Sequence, residues 1–459
     1  MSGSTQPRYF SAPPVGADTV DHYPLFSARE SALRTVAAGR AGEGLRSAWR
    51  GQLEYLQSKI GFSYLRFHGL FHDEMQIYPV RSARPRAEAP ARAPVQYRWW
   101  YIDDLFDFLL ARRLRPFVEF GFTPPALASG METVFSWGAN ITPPRSYTEW
   151  AALVHSTVKH WIGRYGIDEV RGWYFEVWNE PNLGGIFWTG TMEEYFELYR
   201  VTVEAVKECD PRLRVGGPAT SNFTTEGEAP WWAEFAEWCA ARSVPIDFLS
   251  CHPYPNGWAF DGDGVQQTQY RARGALARDN EWMHRFRERS FYPGAEIHLT
   301  EWNSSPSPRD EVHDTAFMGP FLLDSLLTGD TYADSTAYWV FTDLFEENGL
   351  GDTLFHGGFG LLTLNGVPKP SFWAYHFLSR CGARLLDRGN DYVVTADERG
   401  VHILCWNYVH YSDAFAGGDR TQLNGAGSVY GAFADGTNQT FEFDLSASET
   451  VDRATVEWV

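Results

Sequence analysis

From about residue 30 to 375, short apolar runs alternate with stretches whose apolar residues recur every three or four positions, the rhythm of strands joined by crossover helices. Eight runs read as strands: Arg34–Ala38, Ser63–His68, Pro116–Phe120, Trp173–Val177, Leu213–Gly216, Phe248–His252, Glu296–Thr300 and Ser335–Phe341. Helical spacing covers Ser47–Lys59, Ile102–Arg113, Tyr147–Tyr165, Met192–Glu208 and Trp231–Arg242. Eight strands with intervening helices predict an α/β protein built as a (β/α)8 TIM barrel. The first strand is the least regular, because residues 31–46 are rich in Ala, Arg and Gly. After Arg380 the helical spacing stops. Runs at Tyr392–Thr395, Val401–Trp406, Phe441–Leu445 and Thr455–Trp458, separated by Gly, Asp and Asn, predict antiparallel strands, with 415–437 as glycine-rich hairpin connections. The expected domains are a catalytic barrel over 30–375 and an accessory β-sandwich-like unit from 1–29 and 376–459.

Two of the barrel strands end in the same way. Trp173-Tyr-Phe-Glu-Val-Trp-Asn-Glu-Pro-Asn182 carries Glu180 just past its apolar run, after Asn179 and before Pro181, and Ala295-Glu-Ile-His-Leu-Thr-Glu-Trp-Asn303 carries Glu301. Proline fixes the backbone next to Glu180, so that carboxyl is held rather than solvated at random. In a barrel the carboxyl ends of the strands share one mouth. That rule gathers Arg66 and His68 from the second strand, Asn179 and Glu180 from the fourth, His252 and Tyr254 from the sixth, and Glu301 from the seventh. Trp339 follows from the eighth, leading to Asp343, Glu346 and Glu347. Paired carboxylates at one mouth are the equipment of glycosidases.

Composition narrows the partners. Lys and Arg number 39 against 58 Asp and Glu, a formal charge of -19, and no basic run is interleaved with aromatics. Nucleic acid and anionic membrane surfaces are therefore not expected partners. Nineteen tryptophans in an aromatic content of 16% offer stacking surface for sugar rings. The five cysteines, Cys209, Cys239, Cys251, Cys381 and Cys405, lack metal-ligand spacing and read as buried thiols. The amino-terminal residues lack a basic stretch followed by an apolar core, and no run of about 20 apolar residues occurs, so a cytoplasmic location is expected.

Six segments carry a resemblance: Arg66-Phe-His-Gly-Leu70, Trp178-Asn-Glu-Pro-Asn-Leu183, Val215-Gly-Gly-Pro-Ala219, Thr300-Glu-Trp-Asn303, Tyr338-Trp-Val-Phe-Thr-Asp343 and His356-Gly-Gly-Phe-Gly-Leu361. Together they resemble the glycoside hydrolases of family 39, specifically its β-xylosidases, over the whole barrel. The resemblance implies Glu180 as general acid and base and Glu301 as nucleophile of a retaining double displacement, with neither a metal nor an organic cofactor. It implies sugar contacts from His68, Asn179 (to the 2-hydroxyl), Phe187 (a wall), His252, Tyr254, Trp339 (a floor) and the Glu346–Glu347 pair, which would take the hydroxyls of a terminal xylose as acceptor-only carboxylates.

The expected substrate is thus a xylo-oligosaccharide, cleaved from its non-reducing end. The alternatives are another retaining glycosidase of the same clan, such as an α-L-iduronidase or an arabinosidase, and a carbohydrate-binding barrel without catalysis. Two negative charges at 346 and 347 would repel a uronic acid, which favours xylose. Three features depart from the family pattern, the first being the Ala- and Arg-rich stretch that holds the first strand. Residues 81–94 form a Pro/Ala/Arg insert that is expected to shape the rim, and the β tail is short, which leaves a monomer as the expected state.

Overall fold

The computed structural model describes residues 8–11, 22–78, 95–222, 230–260, 266–419, 428–444 and 455–457. The 81–94 insert lies outside these. All eight expected strands form, as β1 (Thr35–Arg40), β2 (Tyr64–His68), β3 (Arg115–Phe120), β4 (Tyr174–Val177), β5 (Arg214–Ser221), β6 (Phe248–His252), β7 (Glu296–Trp302) and β8 (Ser335–Tyr338). They pair in parallel in chain order, and β8 closes on β1 through Tyr338 and Val36. The core lies between this barrel and its outer helices, where Trp150, Trp161 and Trp173 are fully buried. Inside the barrel, Tyr64, Phe117, Tyr174 and Phe248 pack around His298 near the strand starts and plug the end away from the mouth.

Some boundaries differ from the sequence expectation, for local reasons. Arg34 ends a helix, Ser27–Arg34, rather than opening a strand. The small residues of β1 are a packing requirement: a Cβ on Gly39 would sit 2.5 Å from Glu43 Oε2 and 2.8 Å from the Phe345 ring. The regular ladder of β8 stops at Tyr338, although Trp339 N still donates to Trp302 O and Phe341 N to Ala37 O, at 2.9 Å each.

In the tail, an antiparallel meander of β9 (Arg384–Gly389), β10 (Tyr392–Asp397) and β11 (Gly400–Cys405) includes one strand that the sequence pattern did not suggest. The later strand β12 (Phe441–Asp444) pairs in parallel with Arg8–Ser11 from the other end of the chain, not with an antiparallel neighbour. Residues 455–457 form no strand, and a short helix, Asp413–Ala416, interrupts the expected hairpin region. Phe317 stacks on Tyr411 and Phe433, and Arg273 bridges Asp324 and Asp391, which fastens the tail to the barrel's flank. Cys239, Cys251 and Cys381 are buried as expected, but Cys209 is half-buried and Cys405 is exposed. No helix among the described residues is long and apolar enough to cross a membrane.

Candidate active site

The chain leaves β4 through a strained turn. Trp178 and Glu180 both have positive φ, 71° and 46°, a region that side chains other than glycine occupy only when their surroundings impose it. What imposes it here is visible. Trp178 is buried against Trp150 and Trp188, its indole N–H donates to Phe187 O at 2.8 Å, and Glu180 N donates to Ala219 O of β5 at 2.8 Å. Asn182 adds a clamp, donating to Ser221 O and accepting from Ser221 N, each at 2.9 Å. The turn aims Glu180 across the mouth, where it is 6% exposed.

Opposite stands Glu301, 5% exposed, next to an irregularity in the β7–β8 pairing. Donor atoms of Glu180, Glu301 and His252 lie within 4.8 Å of one another. Retaining glycosidases hold their two carboxyl groups about 5–5.5 Å apart, and inverting ones about 6.5–9.5 Å apart. This trio is also the set among the described residues that could hold a metal ion. Its atoms are already engaged: His252 Nδ1 lies 2.7 Å from Glu180 Oε1, and His252 Nε2 lies 3.1 Å from Thr300 Oγ1.

Beneath the pair, Arg66 is completely buried and distributes its guanidinium among four partners. Nε donates to Glu176 at 2.6 Å, Nη1 to Glu301 at 2.8 Å, and Nη2 to Asn179 Oδ1 at 3.1 Å and Glu119 at 2.9 Å. His68 is held between Glu119 at Nδ1, 2.5 Å, and Glu301 at Nε2, 3.3 Å. Burial opposes a charge on this imidazole, but Glu119, by charge and hydrogen bond, and then Glu301 raise its pKa to about 10, so it is a cation at neutral pH. Burial likewise opposes ionisation of Glu301. His252, His68 and Arg66 outweigh it and hold this carboxyl well below the usual range. Tyr254 O–H donates to the other Glu301 oxygen at 3.2 Å.

The loop after β8 gives its two glutamates different neighbours. Glu346 and Glu347 do not act as a free acidic pair. Glu346 turns into Arg46, at 2.5 and 2.7 Å, and Arg40, at 2.8 Å, while its N–H donates to buried Glu43 at 3.0 Å. Glu347 points the other way. Its Oε1 is buried without a hydrogen-bond partner, 3.8 Å from His68 Nε2. Burial, against the pull of His68 and reinforced by Glu301, Glu43 and Glu180, raises its pKa well above the ordinary value, which favours the protonated form, able to donate as well as accept. The tip of the 133–140 hairpin is fastened to this loop: Ser136 N donates to Glu347 O at 2.7 Å and Ser136 Oγ to Glu346 O at 2.5 Å.

The structure therefore brings together Glu180, Glu301, Asn179, His68, His252, Tyr254 and Glu347. Trp339 contacts His68 with ring centroids 4.8 Å apart, and Phe187 packs on Phe135 and Phe122 further out. Glu346 is ion-paired with Arg40 and Arg46. Glu119, Glu176 and Thr300 belong to the network and were not singled out by sequence. Each sits inside a strand, not at its tip, and the one available signal was a charged or polar residue in an otherwise apolar run.

Comparison with known proteins agrees with this geometry. The chain is 41% identical to a β-xylosidase of Geobacillus stearothermophilus over 379 residues, 82% of this chain and 73% of that one. It is 41% identical to a β-xylosidase of Caldicellulosiruptor saccharolyticus over 357 residues, 77% and 69% of the two chains. The crystal structure of a monomeric β-xylosidase from Caulobacter crescentus superposes with a TM-score of 0.76 at 33% identity, covering 88% of this chain and 78% of that one. The model for glycosyl hydrolases family 39 matches residues 27–412, and the chain belongs to that family.

Proposed function

We propose that this protein is a retaining, exo-acting β-xylosidase that releases xylose from the non-reducing end of xylo-oligosaccharides, with residues 30–375 as its catalytic unit. The observation that carries the reading is the approach of Glu180 and Glu301 donor atoms within 4.8 Å, which favours the closer, retaining spacing of the two carboxyl groups over the inverting one. A Glu301 oxygen attacks the anomeric carbon as the bond to the leaving oxygen breaks and Glu180 delivers its proton to that oxygen. Water then attacks the xylosyl ester, giving its proton back to Glu180 and freeing Glu301. Asn179, anchored by Arg66, faces the 2-hydroxyl, Tyr254 and His68 border the ring, Trp339 underlies it, and Phe187 walls the exit.

Glu347 supports the sugar assignment as a carboxyl with an unused buried oxygen, suited to a ring hydroxyl. The reason to prefer xylose over a uronic acid changes with its protonation. Arg40, Arg46, Arg66 and His68, four cations bordering this region, are each paired with protein carboxylates, so none of these four is free to pair with a substrate carboxylate. The latch between Ser136 and the β8 loop supports a pocket closed at one end. A monomer, as in the Caulobacter protein, and a cytoplasmic location, where the five thiols stay reduced, go with this reading. Ultracentrifugation and cell fractionation test them.

The deciding experiment follows hydrolysis of p-nitrophenyl β-D-xyloside by NMR, where the first product should be the β-anomer. Azide should restore turnover to Glu180→Ala and Glu301→Ala with opposite anomeric products. The same anomer from both variants, or α-xylose released first by the native protein, would reverse or remove the assignment.

A further inference from the structure

His252 has two ring nitrogens and a different neighbour at each. Nε2 lies 3.1 Å from Thr300 Oγ1, which lies 2.8 Å from Glu176 Oε1, and Glu176 Oε2 is gripped by Arg66 Nε at 2.6 Å. The direction of these bonds is fixed by proton counting. A carboxylate paired with a guanidinium only accepts, so the single Thr300 hydroxyl proton points to Glu176, and Thr300 must then accept from His252. That requires the ring proton on Nε2.

The consequence falls on the other nitrogen. With the ring's own proton on Nε2, Nδ1 lies 2.7 Å from Glu180 Oε1 with none of its own, and a proton held between the two gives the ring the positive charge that helps keep Glu301 ionised. Two acceptors cannot sit that close without a proton between them. We propose that Glu176 and Thr300 are positioning residues which, by fixing the tautomer of His252, keep the proton on the Glu180–His252 pair that Glu180 gives to the leaving group. With the ring free to place its own proton on Nδ1, an ionised Glu180 would be satisfied without that extra proton. The balance closes over a turnover: the proton leaves with the released alcohol and returns from the water that hydrolyses the xylosyl ester.

The inference rests on Glu180 being the acid of the proposed xylosidase reaction. The other titratable groups facing His252 are Glu301, whose Oε2 lies 3.6 Å from Nδ1, and Tyr254, whose phenol is bound to that same oxygen. Neither supplies a proton to Nδ1, since Glu301 is held ionised and Tyr254 donates to it.

Thr300→Val keeps the shape and removes the relay. On xylobiose its kcat/KM should fall about 10- to 100-fold, up to the lower end of what a general acid contributes, with the alkaline limb of the pH profile moved to lower pH. On 2,4-dinitrophenyl xyloside, whose leaving group needs no proton, the loss should be several-fold smaller, and Thr300→Ser should restore both profiles. Equal losses on the two substrates with an unmoved pH profile, or native kinetics in Thr300→Val, would overturn the proposal. A test independent of variant folding is nitrogen NMR of the native histidines: His252 should show a protonated Nε2 up to the pH where activity is lost, and a bare Nε2 in the active enzyme would overturn it. Azide rescue of Glu180→Ala, run alongside, separates the two failures, because its absence removes the acid assignment while its presence with an unmoved Thr300→Val profile removes only the relay.

Discussion

Glu119→Gln is the most direct probe of the buried charges. In the native protein Glu119 Oε2 takes His68 Nδ1 at 2.5 Å and Arg66 Nη2 at 2.9 Å, with all three side chains essentially without solvent contact. The His68 pKa rises from 6.5 to about 10 although burial, the largest influence, works against it. At about 1.4 kcal/mol per pH unit, a rise of that size links roughly 5 kcal/mol of stability to the imidazolium. Glu119 stands ahead of Glu301 among the influences that raise it and also holds Arg66, so its removal should cost roughly the 3–5 kcal/mol of breaking a buried pair. The sign follows from a raised folded pKa: the contribution is complete below 6.5 and is lost as pH climbs towards 10. Denaturant unfolding of native and variant protein at pH 6 and pH 9.5 checks this. The variant should be weaker by roughly 3–5 kcal/mol at the lower pH and by less at the higher, where only the loss of the Arg66 pair remains. An equal deficit at both values would mean that His68 is not held as a cation by Glu119.

Three further outcomes are expected. The native protein should melt highest between about pH 5 and 7: the depressed Glu301 contributes fully only above about 4.5 and the buried histidines His298, His313 and His410, lowered by burial, only above about 6.5, while raised Glu347, Glu43 (to about 7) and His68 (to about 10) each lose stability as pH rises, from 4.5 for the two acids and from 6.5 for the imidazole; a melting profile that climbs from pH 7 to 9 would contradict these assignments. Glu347→Gln should raise KM for aryl xylosides with an unchanged or higher melting temperature above pH 4.5, whereas Glu346→Ala should loosen the loop by unpairing Arg40 and Arg46, at about 1–3 kcal/mol; paired kinetics and melts distinguish them, and identical behaviour would refute the division of roles. Gly216→Ala should destabilise the barrel by about 1–3 kcal/mol or more, because its Cβ would lie 2.2 Å from Phe248 O on the strand to which Gly216 is paired; native-like melting would show that β5 and β6 can separate.

The sequence alone was enough for the barrel, because burial between helices makes parallel strands read as apolar runs whatever their partners. It was also enough to place Glu180 and Glu301 at one mouth, since strand ends in a barrel converge by topology. Within the tail the same logic found β10 and β11, but it could not see that Phe441–Asp444 pairs with Arg8–Ser11. That pairing joins the two ends of the chain, and neither segment carries a local sign of its partner. The site shows the same limit at the scale of single side chains. Glu346 and Glu347 are adjacent and identical in the sequence, yet one is neutralised by Arg40 and Arg46 while the other keeps a buried oxygen beside His68. Likewise Glu119 and Glu176 read as stray charges in apolar strands until Arg66 is seen between them. Hydrophobic burial is written one residue at a time and survives in the one-dimensional pattern. The charge state and aim of a buried group depend on which opposite charge lies within a few ångströms, and only the folded chain sets that distance.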